Sequence, residues 1–297
     1  MKKINWDDID DYTRSKKLTL YGWIGLPIFL LCSILSSFIM IIGWAVVQAL
    51  GGPAIINFDS SGMPVLADEK SLLLVSVAFG MLAYPLVWLI FPFARRQNKF
   101  VGGYGIKDID KRMHTDGNKT KGWLKAIGIG VVIGILTAIV MTVLQIIATP
   151  ILQGRDQSDT TTAMVVDSFN SITNGNNAYL TQALLMVISA FLIGPICEEF
   201  LFRGLIGMSF RDSRMFRKLS DKTRMIVICL LSGLVFGAMH FQPGDIVVSM
   251  MTMLFTGLIG AGFSYFALYR YNSLVPTMAA HVTYNTLAVV VSVILGV

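Results

Sequence analysis

Histidine, cysteine and charged side chains are all scarce in this chain of 297 residues, which has three histidines, three cysteines and 14% charged residues. Cys32, Cys197 and Cys229 all lie in apolar runs, with neither the paired spacing of a zinc knot nor a partner on an exposed loop. This pattern excludes a disulfide-stapled scaffold and predicts that the cysteines are small packing residues.

The basic residues do not form a nucleic-acid patch, although the net charge is +6. They flank apolar segments and lack interleaved aromatic side chains, which is typical of membrane topology and contact with anionic lipid headgroups. We therefore expect membrane lipid as a partner and no nucleic acid.

Long apolar runs dominate the chain, with 54% hydrophobic residues and a mean hydropathy of +0.66. Such runs can cross a bilayer. The predicted fold class is all-α, a polytopic transmembrane helix bundle of seven spans with an intramembrane catalytic cavity. An eighth span would arise if the sixth were broken. The predicted spans are about 20–49, 71–94, 122–148, 179–210, 225–240, 245–268 and 274–297.

The distribution of Lys and Arg predicts the orientation. The loops on the side of the N-terminus hold nearly all of them, whereas the opposite loops hold only Lys70 and Arg155. The positive-inside rule then places the N-terminus in the cytoplasm of a multi-pass integral membrane protein. We divide the chain into an N-terminal region, 1–178, with three spans, and a core, 179–297, which carries the polar motifs.

The fourth span contains Glu198, Glu199 and Arg203, although each charge at the centre of a membrane helix costs roughly 2.5–3.5 kcal/mol. Glu199 and Arg203 are four residues apart and can form an ion pair on one face, whereas Glu198 is rotated by about 100° and lacks a local partner. The preceding Gly194-Pro195 is expected to kink or unwind the helix. The three charges could form a buried clamp between helices, or Glu198 could be poised in a cavity.

Two histidines lie at a similar depth to Glu198. Glu198, His240 and His281 are 13, 16 and 11 residues from the basic edges of their spans, or roughly 20, 24 and 17 Å along straight helices. A lone histidine on an apolar face is usually a satisfied core residue. Two histidines at the depth of an unpaired glutamate favour the hypothesis that all three residues form one site.

Further residues follow at helical spacing. Asn285 lies four residues after His281 and could orient its imidazole or donate from its amide. Phe236 lies four residues before His240 and could line the cavity or simply pack. Glycines spaced four apart, in Gly130-x-x-x-Gly134 and beside His240 in Gly233-x-x-x-Gly237, permit close approach of another helix.

These residues supply two routes to hydrolysis. In one, His240, His281 and the Glu198 carboxylate hold Zn²⁺ with an open fourth position for water, and Glu199 becomes the base. In the other, Glu198 takes a proton from water without a metal, while the histidines and Asn285 stabilise the oxyanion.

The motifs resemble those of the CAAX-protease and bacteriocin-processing family of intramembrane proteases, also called the Abi family, which includes the Ras-converting CAAX prenyl endopeptidase. The resemblance covers about 180–290. The motifs that carry it, in this order, are Glu198-Glu199-x-x-x-Arg203, Phe236-x-x-x-His240 and His281-x-x-x-Asn285.

The resemblance implies hydrolysis of a peptide bond within the membrane, with Glu198 activating water. The two intramembrane histidines would be metal ligands or oxyanion stabilisers, Asn285 would assist them, and Glu199 and Arg203 would support the site. Members are classed as metallopeptidases, so zinc is the expected cofactor. A metal-free glutamate mechanism, which has also been argued for the family, is the alternative.

The expected substrate is a membrane-associated peptide or protein, and the compact chain suits a member from a bacterial cell membrane. Two other functions stay open. A membrane binding protein of the bacteriocin-immunity type would not need catalysis, and a transporter would need polar residues along a route to both faces, of which the first three spans offer few. The sequence does not fix the oligomeric state.

Overall fold

The computed structural model describes residues 108–155, 188–212, 214–216, 218–241 and 245–295, with Ile106, Asn170 and single positions between 27 and 66. This part is almost entirely helical, as predicted. The exception is a short antiparallel hairpin, in which β1 (Ile56–Phe58) pairs with β2 (Pro64–Leu66). The hairpin lies in the polar loop between the first two predicted spans, where the all-α class left no strand.

Six helices follow the hairpin in the described part of the chain. They are α1 (Ile109–Arg112), α2 (Lys119–Leu152), α3 (189–212), α4 (Asp221–Ala238), α5 (Ile246–Tyr265, continued by a π-helical turn at Phe266–Arg270) and α6 (Val275–Leu295).

The count of seven spans is not confirmed. The first two, about 20–49 and 71–94, fall almost wholly outside the described residues, although the described positions between 27 and 49 are helical. Among the helices that the structure describes, α2 and the continuous helix Ile246–Arg270 are the two that are long and apolar enough to cross a bilayer. Since the latter is unbroken, the eight-span alternative is wrong at this place.

Helix α3 is central and unusually wound. Its segments Ser189–Ile193 and Glu199–Gly207 are π-helical, and the intervening Gly194–Glu198 is α-helical. Pro195 has no backbone N–H to donate, so the irregularity that Gly194-Pro195 predicts takes the form of wide turns within a continuous helix. All residues from 201 to 211 are buried, which is typical of a helix enclosed by its neighbours.

Helices α4 and α5 pack backbone against backbone. A Cβ atom added to Gly237 would lie 2.3 Å from the carbonyl oxygen of Met253, and one added to Gly233 would lie 2.4 Å from that of Gly257. The close helix approach predicted from these glycines is therefore confirmed. It holds the end of α4, which leads into His240, against α5.

Helices α2 and α6 make a second close contact. A Cβ atom on Gly130 would lie 2.3 Å from the carbonyl oxygen of Pro276, and one on Gly134 would lie 2.6 Å from that of Ala280. This confirms the prediction made from Gly130-x-x-x-Gly134, and α2 packs beside His281 as a result.

We expect Gly130→Ala to destabilise the protein by about 1–3 kcal/mol, because the new methyl group must push α6 away from α2. The matched control is Gly128→Ala on the same helix, where a Cβ atom would meet nothing within 4 Å. Alanine is a better helix former than glycine, so this control should be neutral or slightly stabilising. Thermal unfolding in detergent measures both, and equal midpoints would contradict the close contact.

Candidate active site

A fully buried ion pair forms the base of the site. Glu199 Oε1 lies 2.9 Å from Arg203 Nη1, and both side chains have 0% exposure. Arg203 also donates from Nη2 to the carbonyl oxygen of Gly260 on α5, at 3.3 Å, and its guanidinium lies 4.3 Å from the ring centroid of Phe236. The ion pair predicted from the four-residue spacing is therefore present, and Arg203 connects α3 to α4 and α5.

His281 of α6 lies between the two adjacent glutamates. Its Nδ1 is 3.0 Å from Glu199 Oε1, and its Nε2 is 3.8 Å from Glu198 Oε2. Because an ionised carboxylate only accepts, Nδ1 carries a proton and donates it to Glu199, and Nε2 is the ring nitrogen that faces Glu198. The distance of 3.8 Å is too long for a direct hydrogen bond.

The two carboxylates therefore have different surroundings. The Glu198 side chain is 25% exposed, whereas Glu199 is fully buried and contacts both Arg203 and His281. The sequence predicts that Glu198 lacks a partner on its own helix, and the group nearest to it comes instead from α6, 83 residues along the chain.

His240 follows the end of α4 and is fixed by its own backbone. Its Nδ1 lies 2.8 Å from the carbonyl oxygen of Phe236 and must be the donor, so Nε2 is the ring nitrogen that this backbone contact does not use. The ring of Phe236 lies 4.6 Å from that of His240 and 5.9 Å from that of His281, measured between centroids. Phe236 is 2% exposed, and it both packs in the core and separates the two imidazoles.

Asn285 lies one helical turn beyond His281 on α6 and is partly buried. The orienting group that the structure shows for the His281 imidazole is the Glu199 carboxylate. The alternative prediction, in which the Asn285 amide donates to a nearby oxygen, stays open.

Sequence reasoning missed the contribution of α5. Phe263, which is 1% exposed, places its ring 5.7 Å from that of His281, and Gly260 supplies the carbonyl oxygen that Arg203 contacts. A backbone carbonyl and an apolar ring leave no distinctive signal in a hydrophobic segment. The glycine itself was the available clue, since its missing side chain lets Phe236 and α4 approach.

The predicted zinc ligands do not form a complete set. Among the described residues, no three His, Cys, Asp or Glu side chains converge closely enough to hold a metal ion. As arranged, Glu198, His240 and His281 therefore do not fit the tetrahedral site that zinc requires. Each histidine does donate from Nδ1 to a fixed acceptor, as metal-bound imidazoles commonly do.

A comparison with protein families matches the segment that contains these residues. The family model described as "Type II CAAX prenyl endopeptidase Rce1-like" matches residues 180–287. We call this segment, which is similar to that family, the Rce1-like domain. No curated protein and no solved structure matches the chain. The Rce1-like domain contains all six predicted site residues, whereas α2 and Arg155 lie before it.

The match supports the resemblance to CAAX proteases that the three motifs predict, and with it a CAAX-type peptidase embedded in the membrane. The two apolar helices, α2 and Ile246–Arg270, agree with this location. The boundary that we placed at residue 178 stays a prediction, as do the roles of the individual site residues.

Proposed function

We propose that the Rce1-like domain is an intramembrane endopeptidase that hydrolyses a peptide bond in a membrane-associated peptide or protein. The observation that best supports this is the position of the His281 ring, with Nε2 3.8 Å from Glu198 Oε2 and Nδ1 held by Glu199. One water molecule could donate to both Glu198 and His281 across that distance. Its oxygen would then be polarised for attack.

Glu198 is the proposed general base because it is the carboxylate that water can reach. It is partly exposed, and the ion pair of Arg203 is with the neighbouring Glu199. Glu199 is enclosed, and its contact with Arg203 stabilises its charge, so it is better suited to fixing the His281 tautomer than to accepting a proton. We assign Glu199 and Arg203 as positioning residues.

In the proposed reaction, Glu198 takes one proton from water, and the hydroxide attacks the carbonyl carbon of the scissile bond. Negative charge develops on the carbonyl oxygen, and the Asn285 amide and the Nε2 side of His240 are the proposed donors to it. Glu198 then gives its proton to the amide nitrogen as the carbon–nitrogen bond breaks. One water molecule is consumed, and one carboxyl and one amino terminus form.

No step of this scheme passes through a metal, because the described residues do not fit a zinc site as they are arranged. The zinc requirement expected from the sequence stays a prediction, and a chelator tests it directly. The N-terminus in the cytoplasm, the multi-pass topology and a bacterial cell membrane also stay predictions.

The assay uses purified protein in lipid vesicles with a library of membrane-anchored peptides. We expect wild type to cleave a subset, and His240→Ala to lower the rate by about 100-fold, as removal of an oxyanion donor typically does. The matched control is His114→Ala, because His114 lies on the exposed turn after α1 and outside the site.

Equal cleavage by wild type and His240→Ala would contradict the assignment of His240. Loss of cleavage on chelation, restored by zinc, would support the metal scheme, whereas indifference to the chelator would support the metal-free one. No cleavage of any peptide, together with an unchanged phenotype for Glu198→Ala in cells, would favour the binding protein over the enzyme.

A further inference from the structure

Helix α2 lies outside the Rce1-like domain, yet it contacts the parts of the chain that carry both histidines. In its middle, Gly134 packs against the backbone of Ala280, the residue before His281. Beyond its end, Arg155 contacts Asp245, five residues after His240. One helix therefore spans the distance between the two histidine-bearing segments.

Arg155 contacts both carboxylate oxygens of Asp245 through one nitrogen, and a second nitrogen contacts its own helix. Arg155 Nη1 lies 3.0 Å from Asp245 Oδ1 and 2.7 Å from Oδ2, while Arg155 Nε donates to the carbonyl oxygen of Ile151, at 3.1 Å. The hydrogen bond from Nε holds the arginine side chain against the last turn of α2. The guanidinium is thus held in one direction, as a planar donor allows.

Asp245 also forms the N-cap of α5. Its Oδ1 accepts from the backbone N–H groups of Val247 and Val248, at 2.8 and 3.2 Å, and so caps the N-terminus of α5. The hydrogen bond from Arg155 also lowers the pKa of Asp245 below its ordinary value. Asp245, five residues after His240, therefore contacts both the start of α5 and, through Arg155, the end of α2.

We propose that Arg155 is a positioning residue that, through Asp245, holds the start of α5 against the end of α2. Because the end of α4 packs on α5, this contact sets the separation of His240 from His281. This deepens the proposed function and rests on it. The ion pair is partly exposed, with side-chain exposures of 37% and 23%, and such pairs add little to stability. We therefore expect loss of the ion pair to change the separation of His240 and His281 and to leave the unfolding midpoint unchanged.

The kinetic test separates the ion pair from the helix cap. Asp245→Asn keeps a good capping side chain but removes the charge, and Arg155→Gln removes the guanidinium. Both should lower kcat by about tenfold with little change in KM, because a misplaced catalytic group slows the chemical step. Arg155→Lys, which keeps the charge, should restore part of the loss. Arg270→Gln, at the opposite end of the α5 segment, is the matched control and should behave as wild type.

A distance measurement tests the same proposal without activity. Spin labels at Phe241 and Val290, both exposed, are introduced into a variant whose three cysteines are replaced by alanine. Arg155→Gln should broaden the distance distribution between the labels, and Arg270→Gln should not.

An unchanged distribution in Arg155→Gln would overturn the proposal, whatever the activity. Unchanged kcat in both Arg155→Gln and Asp245→Asn would overturn it too. If the wild-type protein cleaves nothing, the proposed function fails, and the distance measurement still decides whether Arg155 positions His240.

Discussion

Glu198→Gln is expected to lower the rate of peptide cleavage by about 100-fold or more, the usual contribution of a general base. Glutamine has the shape of glutamate but cannot take a proton from water. Because the Glu198 side chain is 25% exposed and the substitution is nearly isosteric, the unfolding midpoint should stay within a few degrees of wild type. Single-turnover cleavage of a fluorogenic membrane-anchored peptide measures the rate.

Glu198→Asp is the control for this substitution. It keeps the carboxylate but withdraws it by one methylene group from His281 Nε2, so it should retain more activity than Glu198→Gln. A Glu198→Gln protein as active as wild type would remove Glu198 from the mechanism. Loss of folding in Glu198→Gln, but not in Glu198→Asp, would instead give this residue a structural role.

Arg203→Met is expected to have the largest effect on stability, a loss of about 3–5 kcal/mol. Glu199 would then keep a charge with 0% exposure and without its guanidinium partner. The double variant Glu199→Leu/Arg203→Met removes both charges and should lose clearly less stability than the single variant. Thermal unfolding in detergent and the yield of folded protein measure both effects.

This comparison also tests the interpretation of the pair as a clamp between helices. If Arg203→Met is as stable as wild type, the ion pair does not hold the bundle together. If the double variant folds but does not cleave, the pair serves the orientation of His281, which depends on the Glu199 carboxylate.

Local spacing predicted those parts of the site that lie on one helix. The four-residue spacing of Glu199 and Arg203 indicated their ion pair, and the spacing of glycines at Gly130 and Gly233 indicated close helix contacts. A helix repeats every 3.6 residues, so such neighbours can be found without knowing the fold. The structure contains the ion pair and both glycine contacts at the predicted residues.

Contacts between distant segments could not be predicted in this way. Nothing in the sequence indicates that His281 lies between two glutamates more than 80 residues away, or that its Nδ1 selects Glu199 over Glu198. The depth estimate brought Glu198, His240 and His281 to a similar level, but it carries no information on rotation about each helix axis. The π-helical winding of α3 changes that rotation, and a count based on 3.6 residues per turn does not include it.

The two ends of α3 differ in burial. From Leu201 to Arg211 the helix is sealed by its neighbours, whereas Leu192 on the preceding turns is half exposed. In the proposed reaction, the substrate would therefore approach Glu198 from the N-terminal side of α3, because the C-terminal side is enclosed. The two leaflets of a bilayer would then not be equivalent for the proposed reaction. A substrate anchored in one leaflet would lie on the open side of Glu198, and the same substrate anchored in the other leaflet would lie on the enclosed side.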